Sequence, residues 1–446
     1  MKIKILKTNY KPTDIAVGSA RSCYFGKNIV TPESAGEWDK KNDLLNSIFK
    51  AGHHTTLQHY HFTILIEGMS RHLIWRLLHS HPFYNSEQVS QRYAKMRIEN
   101  FYIPEKGDKE EWDNYYKKMF GYYDIFCEKL EPIFKKRLPK FQKQNSKKKA
   151  QEMARYLLPV GMKAHLYHTI NVITALRYIN GAKYLPESET EAMEFVNLLE
   201  IEMLKIDKDL KPLIEFAKNE KAVFPKIEME KYRCEKDVNN YVNIFDVVNK
   251  EFQMNENFGG ILRLSNLFLD ESLLGGFNSY IKLSFSADAQ NQRHRRSPAV
   301  RPAVKDIYKR DFYIPPIIEE NLLCEYKEAI QFSYNFFEKQ CEKLPFGEAI
   351  YSLTNAHNIE ILEKDDFNEF THKAQMRLCY NAQQEIFDIT YKQIELLKEK
   401  GVNIDNFLPP CAVRFKQGIK PYCPEGDRFC GIKVWKLNFF DYKREF

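Results

Sequence analysis

The stretch from Gln290 to Ser297 places Arg293, His294, Arg295 and Arg296 in succession. An arginine guanidinium offers its N–H donors in a planar fork, which suits a phosphate or an electron-rich heterocycle better than a point charge does. A solvated basic turn is the alternative, because exposed charge is the ordinary state of such residues. These residue types predict an anion-binding site.

A second polar stretch runs from Tyr84 to Tyr93 and contains Ser90, Gln91 and Arg92. It has too little apolar periodicity to belong to a core. We therefore expect a loop that carries functional side chains.

Metal chemistry is not predicted. His53 and His54 stand near other histidines, but no acidic residue lies at ligand spacing. The nine cysteines are an odd number, which favours reduced thiols over a disulfide framework. Cys411, Cys423 and Cys430 lack the paired Cys-x-x-Cys spacing of most zinc sites, so we expect free thiols there.

The length and composition of the chain limit the number of domains and the classes of partner. A chain of 446 residues with 43% hydrophobic side chains can bury substantial cores, and this length favours two domains. The net charge of +7 is mild and does not argue for nucleic acid. Without an apolar leader or a long apolar run, the sequence predicts a soluble, cytoplasmic protein with no membrane contact.

The elements that must position these residues follow from periodicity and from breaker residues. Strands are predicted at residues 2–7, Phe62–Ile66, Glu228–Tyr232 and Tyr280–Phe285. Helices are predicted for Pro12–Tyr24, Leu44–Lys50, Ser70–His79, Trp112–Lys136, the segment from His168 to Asn180, Glu187–Asp207, Val238–Phe252, Ile318–Leu344 and Asp365–Lys398. The basic stretch Lys135–Lys149 is predicted to be an exposed connection between helices.

The second half of the chain repeats the order of motifs found in the first half. Phe101-Tyr102-Ile103-Pro104 returns almost unchanged as Phe312-Tyr313-Ile314-Pro315, about 210 residues later, and a single repeat of that length predicts two homologous domains rather than a solenoid. We assign residues 1–222 to the first half and 223–446 to the second.

Six motifs of the first half resemble one subunit of a flavin-dependent thymidylate synthase. They are Gly52-His53, Gly68-Met69-Ser70-Arg71, Ser90-Gln91-Arg92-Tyr93, Phe101-Tyr102-Ile103-Pro104, Ala154-Arg155-x-x-Leu158-Pro159 and Thr169-x-Asn171. The family signature, Arg-His-Arg followed by Ser and then Ser-x-Arg, is divided between the halves. The first half has Ser90-Gln91-Arg92 but has His79-Ser80-His81 near the place of Arg-His-Arg. The second half has Arg293-His294-Arg295 but no Ser-x-Arg.

Two later arginines of the family divide in the same way. The first half has Arg155 and, 27 positions on, Ala182 (182 − 155 = 27). The second half has Arg377, which is followed by Ala382-Gln383-Gln384-Glu385-Ile386, and 27 positions before it has Ile350 (377 − 350 = 27). Each half keeps what the other has lost.

The resemblance implies an α+β fold in which two homologous domains, each a small antiparallel sheet packed with long helices, form an intramolecular pseudo-dimer. In the family, substrate sites lie between subunits. One composite site per chain is therefore expected, and the reciprocal site is expected to be inactive. Two such chains are expected to associate as a homodimer of pseudo-dimers.

The resemblance also implies roles for individual residues. Gln290, Arg293 and Arg377 would be catalytic. Gln290 and Arg377 would also contact the pyrimidine. The substrate set would further include Glu87 or Gln88, Ser90, Gln91, Arg92 and Arg155. The FAD set would be His53, Asn171, Arg177, Arg293, His294 and Arg295.

The implied reaction is the reductive methylation of dUMP to dTMP with FAD, methylenetetrahydrofolate and NADPH. No cysteine nucleophile is required, and Pro410-Cys411-Ala412 lacks the histidine of the other thymidylate synthase class. Three alternatives stay open. They are flavin-dependent modification of another pyrimidine nucleotide such as dCMP, a catalytically dead protein, and a nucleic-acid-binding protein that uses Arg293–Arg296 and Lys135–Lys149.

Overall fold

A computed structural model describes residues 1–24, 28–92, 94, 96, 98, 100–138, 140–186, 189–233, 242–251, 270–442 and 444. Tyr93, residues 187–188 of one predicted helix, and residues 238–241 and 252 of another lie outside these ranges. Within them no helix is both long and apolar enough to cross a membrane.

Two four-stranded antiparallel sheets form the framework, one in each half. Their strands are β1 (Lys2–Ile5), β2 (His61–Ser70), β3 (Tyr84–Gln88), β4 (Lys163–Asn171), β5 (Val242–Val248), β6 (Gly276–Ser284), β7 (Ala299–Val300) and β8 (Asn358–Asp366). The first sheet has the order β1-β2-β4-β3 and the second the order β5-β6-β8-β7. The same order in both sheets confirms two homologous α+β units.

Helices cover these sheets and join them. They are α1 (Pro12–Tyr24), α2 (Pro32–Gly36), α3 (Lys41–Lys50), α4 (Arg71–Leu73), α5 (Lys109–Arg137), α6 (Ser146–Ala154), α7 (Val172–Gly181), α8 (Glu189–Ile206), α9 (Lys211–Asn219), α10 (Phe285–Asn291), α11 (Val304–Ile307), α12 (Pro316–Asn321), α13 (Leu323–Cys341), α14 (Phe346–Ala349), α15 (Phe367–Arg377), α16 (Gln384–Glu399) and α17 (Pro410–Lys416).

Several sequence-based assignments were wrong. The segment from His168 to Asn171 is the end of β4, and the helix begins only at Val172. Its alternation, with Ala164, Leu166, His168 and Ile170 all buried, is a strand pattern that the helical prediction overlooked. The described part of Val238–Phe252 contains β5, whose β-branched residues favour a strand.

Other predicted boundaries also moved. Glu228–Tyr232 contains a 3₁₀ turn instead of a strand, and part of the predicted loop from Tyr84 is β3. The single helix predicted over Asp365–Lys398 is instead the last two residues of β8 followed by two helices, α15 and α16. Ile318–Leu344 divides between α12 and α13, and Ser70–His79 is α4 followed by a π-helical turn. Lys149, predicted to be exposed, is 9% exposed.

The two halves pack about a pseudo-two-fold axis. Helices α5 and α13 cross between them, where the rings of Tyr115 and Phe336 stack 4.0 Å apart and the Tyr115 hydroxyl lies 3.0 Å from Ser333 Oγ. A single apolar core contains residues of both halves, and a second lies within the first half.

Reciprocal backbone hydrogen bonds mark the axis itself. The N–H groups of Val160 and Gly161 donate to Leu353 and Tyr351 at 2.8 and 2.9 Å, and those of Asn355 and Ala356 donate to Leu158 and Tyr156 at 2.9 and 3.0 Å. Each bond has a counterpart 195 residues along the chain with the halves exchanged (356 − 161 = 351 − 156 = 195). Such self-complementary pairing is the property of a two-fold dimer interface, so the chain is an intramolecular pseudo-dimer.

Candidate functional site

A cavity of about 340 Å³ lies between the halves, beside the pseudo-two-fold axis. The first half contributes Glu87, Gln88, Ser90, Gln91, Arg92 and Arg155, and the second half contributes Gln290, Arg293 and Arg377. Strand β3 carries Glu87 and Gln88 to one wall, while α10 and the C-terminus of α15 bring Gln290 and Arg377 to the other. All the residues predicted to bind substrate or to act in catalysis thus line one cavity.

Arg92 is fixed by contacts on both sides of the boundary between the halves. Its Nη2 donates to Glu152 Oε2 at 3.2 Å and to the backbone oxygen of Asn381 at 2.6 Å. Burial raises the pKa of Glu152, but Arg92 and Lys149 outweigh this effect and hold the pKa at about 2. A carboxylate that is ionised at neutral pH therefore holds Arg92 beside Ser90, whose Oγ accepts the Arg92 backbone N–H at 3.2 Å.

Gln383 connects the remaining polar side chains of the two halves. Its Oε1 accepts hydrogen bonds from Arg155 and Gln290, and its Nε2 donates to Tyr156 and, at 3.2 Å, to Ser286. Because Gln383 is fully buried, these bonds are shielded from water and fix Arg155 relative to Gln290. The Nε of Arg155 is buried and has no hydrogen-bond partner among the described residues.

Arg377 is oriented by the basic stretch that follows α10. Its Nη2 donates to the backbone oxygen of Gln290 at 2.6 Å, and its Nε donates to His294 Nε2 at 3.0 Å. Because burial and neighbouring cations hold the pKa of His294 well below its usual value, the ring is neutral and accepts that bond. His294 therefore positions Arg377 from behind the cavity wall.

The electrostatics of the cavity favour an anion. Five arginines line it, namely Arg71, Arg92, Arg155, Arg293 and Arg377. Burial, followed by repulsion from other arginines, lowers the pKa of Arg71 and of Arg377 to about 9. A dianionic group between these side chains would relieve that repulsion, and a fork of N–H donors suits a phosphate.

Five of the six side chains predicted to bind FAD lie away from this cavity. Asn171 caps α7 by accepting the Thr174 N–H at 2.9 Å. The Arg177 guanidinium contacts His81 Nε2 at 2.5 Å, and Arg295 donates to Asn85 Oδ1 at 3.0 Å. His53 is exposed before a 3₁₀ turn. With His294 buried behind Arg377, only Arg293 of this set lines the cavity.

The positions that correspond to this site on the other side of the axis carry different chemistry. Ser70 and Ser284 each end a strand and cap the next helix, so His79 corresponds to Arg293 (284 − 70 = 293 − 79 = 214). Ile350 corresponds to Arg155, and each of them opens a 3₁₀ turn. Ala182, which corresponds to Arg377, is fully buried, as is Ile350.

A cavity of about 180 Å³, bordered by His79, Tyr84 and Arg301 among others, lies at the reciprocal position. Arg301 forms a two-point salt bridge with Asp288 at 2.6 and 2.8 Å, and Trp75 Nε1 donates to Asp288 Oδ2 at 2.6 Å. His79 stacks on Tyr84 with ring centres 4.8 Å apart. Arg301, Asp288 and Trp75 Nε1 therefore have internal partners, but His79 Nε2 is buried without one among the described residues.

Several residues of the site were not recognised from sequence. Arg71 was quoted in a motif without a role, although it lines the cavity and donates to the backbone oxygen of Val89. Gln383 and Glu152 were overlooked because their role depends on long-range contacts. The family motif Ala-Gln-x-Glu-Ile, which contains Gln383, was the available signal.

Comparison with known proteins gives three kinds of match. The family model described as "Thymidylate synthase complementing protein" matches residues 4–193 and 275–400. A flavin-dependent thymidylate synthase of Clostridium tetani is 28% identical over 40% of this chain and 72% of its own length. The enzyme of the same name from Pyrococcus furiosus is 28% identical over 48% of this chain and 84% of its own length.

Two solved structures are also similar to this chain. A UMP/dUMP methylase, PolB, from Streptomyces cacaoi covers 48% of this chain and 93% of its own, with 16% identity and a TM-score of 0.35. Thymidylate synthase X from Helicobacter pylori, solved with FAD and dUMP, covers 49% of this chain and 100% of its own, with 16% identity and a TM-score of 0.32.

Proposed function

Since this chain belongs to the thymidylate synthase complementing protein family and is an enzyme of the flavin-dependent thymidylate synthase kind, we propose that it converts dUMP to dTMP. The reaction uses FAD, methylenetetrahydrofolate and NADPH, in the cytoplasm. It takes place at one composite site per chain. The second site about the pseudo-axis is inactive.

The cavity between the halves is the observation that carries this proposal. Its arginines come from both halves, and the counterparts of Arg155 and Arg377 across the axis are the apolar Ile350 and Ala182. A volume of about 340 Å³ is within the range of roughly 300–1,000 Å³ found for small-molecule sites. One nucleotide per chain is the expected occupancy.

In this proposal the substrate phosphate lies against Arg92, Arg155 and the Ser90 hydroxyl. The pyrimidine lies toward Gln290 and Arg377, where a guanidinium held by His294 is already oriented before the substrate binds. Negative charge develops on a ring carbonyl oxygen as C5 becomes nucleophilic. A preorganised cation stabilises that charge without reorganisation cost at the moment of reaction.

Arg293 fits a role at the cofactor. It is exposed, lines the cavity, and has no assigned side-chain hydrogen bond in the part of the chain that the structure describes. His53 is exposed as well and is free to contact a cofactor that extends beyond the cavity or a second chain. FAD, when bound, supplies the transfer of the methylene group and of hydride. The roles of Asn171, Arg177, His294 and Arg295 at FAD stay predictions, and so does the homodimer of pseudo-dimers.

The test is release of tritium from dUMP labelled at C5, with methylenetetrahydrofolate, NADPH and FAD present. Arg377→Ala should lower turnover by at least about 100-fold, the loss expected when a preorganised charge-stabilising group is removed. Arg92→Ala should lower kcat/KM by roughly 10-fold to 150-fold, because it removes a charged hydrogen bond to the phosphate. His79→Ala and His81→Ala, which alter the reciprocal position, should keep most of the activity. Activity lost equally in both pairs would overturn the one-site proposal. Tritium released only from labelled dCMP would show that the nucleotide is a different one.

A further inference from the structure

A buried carboxyl group, that of Glu369 in α15, lies behind the histidine that holds Arg377. Arg377 Nε donates to His294 Nε2 at 3.0 Å, and at the other ring nitrogen Glu369 Oε1 lies 3.5 Å from His294 Nδ1. The side chains of His294 and Glu369 are 4% and 3% exposed. Since Arg377 lines the substrate cavity, the three side chains connect the interior of the second half to the cavity wall.

The ordinary interpretation is that Glu369 helps to begin a helix. It is the third residue of α15, and its backbone N–H donates to the side chain of the cap residue Asp366 at 2.7 Å. A carboxylate in the first turn interacts favourably with the helix dipole, and a glutamate at this position often bonds back to the cap residue. Neither role requires the carboxyl group to be buried beside an imidazole.

The protonation state of His294 gives the contact with Glu369 a direction. Burial, followed by repulsion from Arg377 and Lys373, holds the pKa of His294 well below its usual value, so the ring is neutral. A neutral imidazole has one N–H donor and one acceptor nitrogen. Because Nε2 accepts from Arg377, the proton is on Nδ1, and Glu369 Oε1 is the acceptor beside it.

The distance of 3.5 Å between His294 Nδ1 and Glu369 Oε1 is long for a hydrogen bond. Nδ1 is buried and has no hydrogen-bond partner among the described residues. A buried donor without a partner costs free energy, which favours a small rotation that shortens this contact. Hydrogen bonds that support catalysis are often long before the substrate binds.

All three positions differ between the two halves of the chain. The counterparts lie 195 positions earlier for Arg377 and Glu369 and 214 positions earlier for His294, and they are Ala182, Thr174 and Ser80. The half that lacks the late arginine therefore also lacks the histidine and the carboxyl group. This joint replacement is expected of three groups that act together.

The start of the helix, in contrast, is the same in both halves. In α7 the cap residue Asn171 accepts the Thr174 N–H at 2.9 Å, just as Asp366 accepts the Glu369 N–H in α15. Thr174 thus occupies the third helical position without a carboxyl group. Initiating a helix at this place in the fold does not require Glu369.

Burial of Glu369 is unfavourable by itself. It raises the pKa of the carboxyl group to about 7, and attraction to Arg296 offsets only part of this effect. Ionisable groups that are kept in such surroundings are concentrated at functional sites. In either protonation state the carboxyl group has an oxygen lone pair that can accept the His294 Nδ1–H.

We infer that Glu369 is a positioning residue that keeps His294 in the Nδ1–H tautomer and thereby keeps Arg377 directed at the pyrimidine. The inference rests on the role proposed above for Arg377 in the conversion of dUMP. With the proton on Nε2 instead, two N–H groups would face each other and Arg377 would lose its partner at Nε. A carboxyl group that accepts from one ring nitrogen fixes which tautomer is present.

The first test compares Glu369→Leu, which removes the acceptor, with Glu369→Gln, which keeps a carbonyl oxygen in its place. Glu369→Leu should lower kcat for tritium release from dUMP by roughly 10-fold to 100-fold. Its KM for dUMP should stay within about threefold of the parent value, because the contacts to the phosphate are unchanged. Glu369→Gln should keep kcat within about fivefold of the parent value. Thr174→Val, at the equivalent position of α7, is the matched control and should change neither constant.

The second test asks whether Glu369 acts through His294. In a His294→Gln background, Glu369→Leu should lower kcat by no more than about twofold further, because the ring that it orients is absent. A role confined to the stability of α15 predicts the same loss in both backgrounds. Equal losses would therefore overturn the inference, as would a kcat of Glu369→Leu within about twofold of the parent value.

The third test needs no turnover. In nuclear magnetic resonance spectra of chains with isotopically labelled histidine, the signals absent from His294→Gln identify the His294 ring. The parent should have its proton on Nδ1, and Glu369→Leu should show a mixture of tautomers. A proton on Nε2 in the parent, or an unchanged tautomer in Glu369→Leu, would overturn the inference. The expected tautomers in a parent that releases no tritium from dUMP would support the link between Glu369 and His294 and would overturn the proposed function.

Discussion

Replacing Arg155 with isoleucine would give the composite site the residue that its pseudo-symmetric counterpart already has at Ile350. Arg155 uses Nη2 to bind Gln383, while its Nε remains buried without a partner among the described residues. In the proposed complex the Arg155 Nε–H donates to the nucleotide phosphate. A hydrogen bond that involves a charged group contributes about 1.5–3 kcal/mol. Its loss should weaken dUMP binding by roughly 10-fold to 150-fold.

Folding should change much less than binding. Burial lowers the pKa of Arg155, and repulsion from Arg92 lowers it further, so the substitution removes an unfavourable interaction between two cations. Gln383 keeps its hydrogen bonds to Gln290, Tyr156 and Ser286. Replacing a buried charge with an apolar side chain of suitable volume is often neutral for stability. We expect the free energy of unfolding to change by no more than about 1 kcal/mol.

Calorimetric titration with dUMP, paired with urea denaturation, separates the two effects. Ile350→Val is the matched control, because it alters the reciprocal position and should cost roughly 0.5–1.5 kcal/mol of stability without changing dUMP affinity. A Kd for dUMP within about twofold of the parent value in Arg155→Ile would refute the assignment of Arg155 to the phosphate. So would an equal loss of affinity in Ile350→Val.

Two further predictions concern the framework that holds the site. Burial raises the pKa of Glu385 to about 7, although Ser284 and Tyr156 hydrogen-bond to it. A carboxyl group whose pKa is raised on folding contributes most stability below its unfolded pKa and loses that contribution as pH rises to the folded pKa. Between pH 5.5 and pH 7 the free energy of unfolding, measured by urea denaturation, should therefore fall by about 2 kcal/mol more in the parent chain than in Glu385→Gln. An equal fall in both proteins would contradict the raised pKa of Glu385. At Gly161 an added Cβ would lie 2.7 Å from the Tyr351 backbone oxygen and 2.6 Å from the Tyr116 hydroxyl, so Gly161→Ala should destabilise the chain by roughly 1–3 kcal/mol. Gly181→Ala, in α7 with open space around it, should leave stability unchanged or raise it by up to about 1 kcal/mol, and thermal unfolding of both variants checks the contrast.

The composite arrangement was predictable from sequence because it depends on which motifs are present in each half. The sequence alone shows that the first half has Arg155 and Ala182 at the two family arginine positions, and that the second half has Ile350 and Arg377 there. The end of β4 and the strand β5 were mistaken for helices, because in short segments the distinction between the two periods rests on a few residues. Tertiary pairing with β2 and β6 decided those segments.

The polar network behind the arginines was beyond reach of sequence patterns. Gln383 and Glu152 form hydrogen bonds with residues more than fifty positions away in the sequence. A local sequence pattern contains no information about such long-range contacts. Asn171 shows the reverse case, since the structure gives the motif residue a local function as a helix cap.

The reciprocal backbone pairing at Leu158–Gly161 and Tyr351–Ala356 has a consequence for how this chain can vary. In an assembly of identical subunits one codon specifies a side chain in both sites, so any change must be tolerated in two environments at once. Here the two environments are encoded separately. Position 350 can be apolar because it is no longer the same codon as position 155, so a change on one side of the pseudo-two-fold axis does not have to be tolerated on the other side.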